Sequence, residues 1–116
     1  LEVAAILHDI GIKESEKKYS SSAGKYQEME GPPVARGILQ EFGLNQEFVD
    51  RVCYLIGNHH TYSKIDDVDF QILVEADFLV NIFEDGVSRE QVEPVKQKYF
   101  KTDTGLFCLS SMYCCK

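Results

Sequence analysis

The chain contains three His, and each stands beside another metal-binding residue: His8 precedes Asp9, and His59 precedes His60. Imidazole and carboxylate are common ligands of transition metals. His8-Asp9 closes the apolar run Ala4-Ala5-Ile6-Leu7. A carboxylate there is costly unless it is paired or bound to a cation. The same dipeptide also suits an ordinary helix C-terminus, with His favoured by the helix dipole and Asp forming a turn. His59 continues the helical stripe of Phe48, Val52, Leu55 and Ile56, which points it inward. The bland alternative is a polar helix end, with His stacked on Tyr62. Asp77 shares a helix face with Phe70, Leu73, Val74 and Val80, so it needs a partner: a metal, a salt bridge or a neighbouring helix end. Asp69 and Glu75 fall at an end or on a more polar face and are expected to be solvated. Taken together, the three features predict a mixed nitrogen and oxygen ligand set. Such a set suits Fe or Mn best, then Zn, and Mg less well. Sites of this kind activate water and polarise a phosphoryl oxygen.

Helical periodicity dominates the elements that must position these residues. The first helix is expected over Leu1 to about Gly11, apolar on most faces and buried. Lys13 to Glu28 is polar, with Ser20-Ser21-Ser22 and Gly24, and is expected to be a loop shaping specificity. Gly31-Pro32-Pro33 opens the second helix, since Pro is tolerated in a first turn. Its stripe is Val34, Ile38, Leu39 and Phe42, and Gly43 ends it. Asn45 caps the third helix, and Thr61 to Asp67 is a connection. The fourth helix runs from about Asp69 to Glu84 and ends at Asp85-Gly86. Ser88 caps a fifth, which Pro94 is expected to kink or shorten, and Thr104 to Cys115 forms a last one. No strand pattern is present, so the class is all-α.

A length of 116 residues accommodates one domain, with a core over 1–84 and a helical extension over 85–116. The net charge of −7 carries no Lys/Arg cluster, which argues against a nucleic-acid partner. No apolar run is long enough for a membrane span. Of the four Cys, Cys53 lies on an apolar helix and is assigned to the core. Cys108, Cys114 and Cys115 have no zinc-site spacing and are read as reduced thiols, with a cytoplasmic location. The chain opens inside an apolar helical pattern with no cap residue, so it is expected to begin mid-domain.

The segment Ala4-Ala5-Ile6-Leu7-His8-Asp9-Ile10-Gly11 resembles the defining motif of the HD superfamily of metal-dependent phosphohydrolases. Leu73-Val74-Glu75-Ala76-Asp77 is similar to the stretch bearing the family's last ligand. Ile56-Gly57-Asn58-His59-His60-Thr61 is similar to the His-bearing helix end of members with additional metal ligands. The resemblance covers about Leu1 to Glu84. It implies an HD-type helical bundle whose first helix, bearing the first ligand His, lies upstream. It also implies one or two divalent ions. His8, Asp9 and Asp77 would hold one; Asp9 would bridge to a second on His59, His60 and Glu30. Glu30 stands where such members often carry a His and could serve as a ligand there, although a first-turn Glu at a helix start is the somewhat stronger explanation. Asp9 would have a catalytic share, with Lys13 or Arg36 helping to balance charge on a phosphate; for both cations a solvated position is the alternative. Ile12 stands where many members have Lys directly after the motif.

Three functions compete. The first is hydrolysis of a phosphate ester of a small molecule, foremost a nucleotide, by metal-activated water. The second is a noncatalytic HD module that binds nucleotide or metal and regulates a partner. The third is a helical scaffold whose His and Asp are structural.

Overall fold

Short polar caps and left-handed breaks set the helix boundaries in the computed structural model, which describes the backbone of residues 1–114 and the side chains of 1–112. The chain is all-α, with no strand among the described residues. Cys115, and the Cys114 side chain, lie outside the described residues. No described helix is long and apolar enough to cross a membrane. Contacts divide the chain into two units, Leu1–Ile65 and Asp66–Lys116.

The first unit holds α1 (Glu2–Leu7), α2 (Ile12–Tyr19), α3 (Gly24–Glu41) and α4 (Gln46–Asn58), followed by a 3-10 turn at Tyr62–Lys64. The expected continuous helix to Gly11 stops at Leu7. Tight turns, Ile10 N–H to Leu7 O and Ile12 N–H to Asp9 O, carry the chain through His8–Gly11 into α2. Only Ala4 of α1 is buried, and Ile6 is 80% exposed, so the helix is far less covered than its composition predicts.

The expected loop over Lys13–Glu28 is instead α2 and the start of α3, with a break confined to residues 20–23. Ser20 ends α2 in the left-handed region, at φ 54°. α3 begins at Gly24, seven residues before the expected start, and Pro32 and Pro33 lie inside it. A Pro normally costs a helix interior about 3 kcal/mol through a lost donor and a ring clash. Gly31 eases part of this, because it presents no Cβ to the ring that follows.

Buried residues of α3 recur every fourth position as Gln27, Gly31, Ala35 and Leu39. This single row makes a ridge of mostly small side chains, against which α2 and α4 can pack closely. A Cβ at Gly11 would stand 2.7 Å from Gln27 O and from Gly31 N. A Cβ at Gly31 would stand 2.8 Å from Ile56 Cγ2. Backbone therefore meets backbone where the His8–Gly11 turn joins α3. Ser15 is fully buried beside this seam and donates its hydroxyl to Gly11 O at 2.7 Å.

Asn45 caps α4 as expected, its Oδ1 accepting from Glu47 N and Phe48 N. Val49, Val52, Cys53, Leu55 and Ile56 form the buried face of α4, and Phe48 sits outside it, 39% exposed. The Cys53 thiol is free and in the core, and burial raises its pKa.

The second unit holds α5 (Val68–Asp85), α6 (Arg89–Tyr99) and α7 (Asp103–Leu109), continued by a π turn at Ser110–Cys114. Asp67 caps α5, and Gly86 ends it at φ 62°. Ser88 and Gln91 form a capping box on α6, which runs through Pro94 without shortening. Ile82, Val92, Phe100 and Leu109 make the core, flanked by Phe78, Leu79, Val87, Val95 and Leu106.

Glu75 overturns an expectation. It is not solvated but 2% exposed. Its Oε2 accepts from Gln71 Nε2, Lys101 N and Thr102 N, and its Oε1 accepts from the Thr102 hydroxyl. Thr102 Oγ1 in turn accepts from Gly105 N, at the start of α7. The carboxylate so holds Thr102, the cap of α7, and ties α5 to the α6–α7 junction.

Candidate metal centre

Two imidazoles are fixed in the same way. His8 Nδ1 lies 2.7 Å from Ala5 O, and His59 Nδ1 lies 2.7 Å from Ile56 O, each three residues back at its own helix end. A carbonyl accepts only, so each Nδ1 must carry the proton. The neutral ring then holds its lone pair on Nε2. A backbone carbonyl on the far nitrogen is a common way for proteins to orient a ligating His.

Both Nε2 atoms face Asp9. His8 Nε2 is 3.3 Å from Asp9 Oδ2, and His59 Nε2 is 3.7 Å from Asp9 Oδ1. The His59 side chain is completely buried, while Asp9 is about half exposed. His59 Nε2 is buried with no hydrogen-bond partner. Asp9 is an anion at neutral pH at the ordinary carboxylate pKa; only with a proton on the facing nitrogens would His59 first, and His8 after it, hold its carboxyl well below that range.

His60 completes the group. Its ring centroid lies 3.9 Å from that of His59, and the His8 and His59 centroids are 5.3 Å apart, edge to face. Asp9, His59 and His60 each offer a ligand atom, and these atoms lie within 4.8 Å of one another. Two nitrogens and an anionic oxygen at this spacing fit a first-row divalent ion.

The other expected site residues fall as follows. Asp77 lies on α5 of the second unit, half-buried. Glu30 is turned to other partners: Oε1 accepts from Lys18 Nζ at 2.9 Å and Oε2 from the Tyr19 hydroxyl at 3.0 Å. Those two contacts lower its pKa. Arg36 is paired with Asp50 at 2.9 Å, bridging α3 and α4. Lys13 stands exposed on the first turn of α2 and, with Asp9, Ile10, Glu14, Glu16 and Val34, lines an open cleft of about 440 Å³.

Sequence reasoning missed the support under His60. Gln27 Oε1 lies 3.1 Å from His60 Nε2. Glu28 accepts from His60 N at 2.9 Å and from the Thr61 hydroxyl at 2.9 Å. A Cβ on Gly24 would press on the His60 ring at 3.0 Å. These residues were hidden inside the expected loop. The four-residue recurrence of Gln27, Gly31, Ala35 and Leu39 was the available signal that α3 starts early.

Comparison of the chain with protein-family models, curated proteins and solved structures gave no significant match.

Proposed function

We propose that the chain is a metal-dependent phosphohydrolase domain of the HD type, acting on a phosphate ester of a small molecule, with nucleotides the foremost class. The observation that carries the reading is His59 Nε2: a buried lone pair facing an anionic carboxylate 3.7 Å away. Two electron-rich atoms so placed repel unless a cation lies between them or the ring is protonated. Leaving a buried polar atom unsatisfied costs about 1–3 kcal/mol. Coordination of an Fe or Mn ion would remove both costs. His59, Asp9 and His60 are the residues that would hold it, with His8 beside Asp9. The resemblance in sequence also assigns Asp77 to the metal set, and that assignment is carried by the sequence. A divalent ion bound here would supply the positive charge that polarises a phosphoryl oxygen and acidifies water.

This chain's own part is to hold and expose that charge. Asp9 reaches the surface of the cleft, where a substrate phosphate would meet it. Lys13 is the one cation lining that cleft among the described residues, which supports it as the candidate to steady a phosphate. Arg36 is paired with Asp50 and does not line the cleft, so this reading leaves it out of the phosphate contact. A cytoplasmic location fits this chemistry and the free thiols of Cys53 and Cys108.

One observation favours the noncatalytic module as a second reading. Glu14 and Glu16 share the cleft with Lys13, which weakens it as a phosphate site. Turnover of bis-p-nitrophenyl phosphate and p-nitrophenyl phosphate by protein reconstituted with Mn(II) or Fe(II) separates the two. Hydrolysis that disappears in Asp9→Asn supports the enzyme. Metal and nucleotide binding with no turnover supports the module, and neither binding nor turnover rejects both.

A further inference from the structure

The ring of His60 is gripped from α3 by residues that no ligand set includes. Gln27 is 8% exposed, and its amide is tied at both ends. Its Nε2 donates to Ser22 O, and its Oε1 lies against His60 Nε2. A carbonyl at Ser22 can only accept, which fixes the NH₂ of the amide on that side. The oxygen is therefore the atom facing His60, and an amide oxygen also only accepts. His60 Nε2 must then carry the proton, and Nδ1 becomes the nitrogen with the lone pair a metal needs. His8 and His59 use the opposite arrangement, with Nδ1 protonated by contact with a carbonyl.

Glu28, the next residue on α3, holds the backbone of the same His. It accepts from His60 N and the Thr61 hydroxyl, which pins the chain where it leaves α4. Gly24, one turn before Glu28, has no side chain to displace the ring. Three residues of one helix turn thus act on one imidazole: one sets its proton, one its backbone and one its clearance.

We propose that Gln27 is a positioning residue of the metal centre, which sets the His60 tautomer so that Nδ1 is the coordinating atom, with Glu28 anchoring the backbone beneath it. The coordination half of this inference rests on the metal-site reading; the tautomer half does not. Positioning partners of metal-ligating His typically change metal affinity about 10–100-fold when removed.

The test is long-range proton–nitrogen NMR of the imidazoles in metal-free protein, at alkaline pH where the rings are neutral. His60→Gln assigns the resonances, and circular dichroism checks folding. His60 is expected as the Nε2–H tautomer in the parent and in Gln27→Glu, which keeps an accepting oxygen. It is expected to lose that single tautomer in Gln27→Ala. Mn(II) or Zn(II) titration of the same proteins should show Gln27→Ala binding about 10–100-fold more weakly than the parent. A parent His60 protonated on Nδ1, or a folded Gln27→Ala with an unchanged His60 tautomer, overturns the inference. A parent that shows the expected tautomer and its loss in Gln27→Ala, yet binds no metal, keeps Gln27 as the device that sets His60 and rejects the metal centre instead.

Discussion

His59 Nε2 and Asp9 Oδ1 stand 3.7 Å apart, one on a side chain with no exposed surface and the other on a carboxylate half open to solvent. That distance is too long for a hydrogen bond and too short for a buried lone pair to ignore a full negative charge. Asp9 is held in place by the turn that follows α1, and His59 by the C-terminal end of α4. The pairing therefore depends on how closely α2 and α4 approach α3.

The seam that sets this approach is testable at its two glycines. Gly11→Ala drives a methyl into backbone atoms of Gln27 and Gly31, which cannot move aside. Gly31→Ala meets the Cγ2 methyl of Ile56, a side-chain end rather than backbone, and sets a Cβ before the Pro32 ring. Overpacking a close seam costs about 1–3 kcal/mol. Both variants should lose stability in urea unfolding, Gly11→Ala by more. Equal stability of Gly11→Ala and the parent would remove the seam from the account.

Glu75 should control the acid stability of the second unit. Its pKa is lowered: burial opposes this, but hydrogen bonds from Thr102, Lys101, Gln71 and the Thr102 backbone outweigh it. A depressed carboxyl stabilises the fold above its unfolded pKa of about 4.3, and that stabilisation is lost as pH falls through the folded value. Unfolding free energy followed downward from neutral pH should therefore drop below about pH 4.3. Glu75→Gln should flatten that drop while weakening the fold at neutral pH. Glu75→Ala, which strands several buried donors, should cost about 3 kcal/mol. A Glu75→Gln profile parallel to the parent's at every pH would contradict this.

The same residue shows why part of the fold was hard to read from sequence. Helical phase alone puts Glu75 on a polar face, but α5 has a second buried side covered by α6 and α7. That cover depends on the backbone of Lys101 and Thr102, which no side-chain pattern announces. α2 and the first turns of α3 were hidden for a related reason. Their buried residues are Gly11, Ser15, Gln27 and Gly31, none of them apolar in a hydropathy sense. The caps at Asn45 and Ser88 and the left-handed stops at Gly43 and Gly86 were legible, since each works through local chemistry alone. Within the first unit, His59 could be aimed inward from its stripe, whereas Gln27 and Glu28 could be placed only once α3 was known to reach Gly24.

Arg36 separates a surface ion pair from a phosphate contact. It bridges to Asp50 at 2.9 Å with both groups substantially exposed. Exposed pairs contribute about 0–1 kcal/mol. Arg36→Ala should change stability by no more than that and leave phosphodiester turnover at the parent level. Lys13→Ala, in contrast, should raise KM for a phosphate substrate. A large loss of kcat/KM in Arg36→Ala alone would restore Arg36 to the site.

Elemental analysis of the purified chain tests the central claim most directly, after reconstitution with Fe(II) or Mn(II) and removal of free ion, beside His59→Ala and Asp9→Asn. The account predicts about one or two metal equivalents in the parent, with loss from both folded variants, as for a site built from these ligands. A folded parent that retains no metal, or variants that retain all of it, would contradict it.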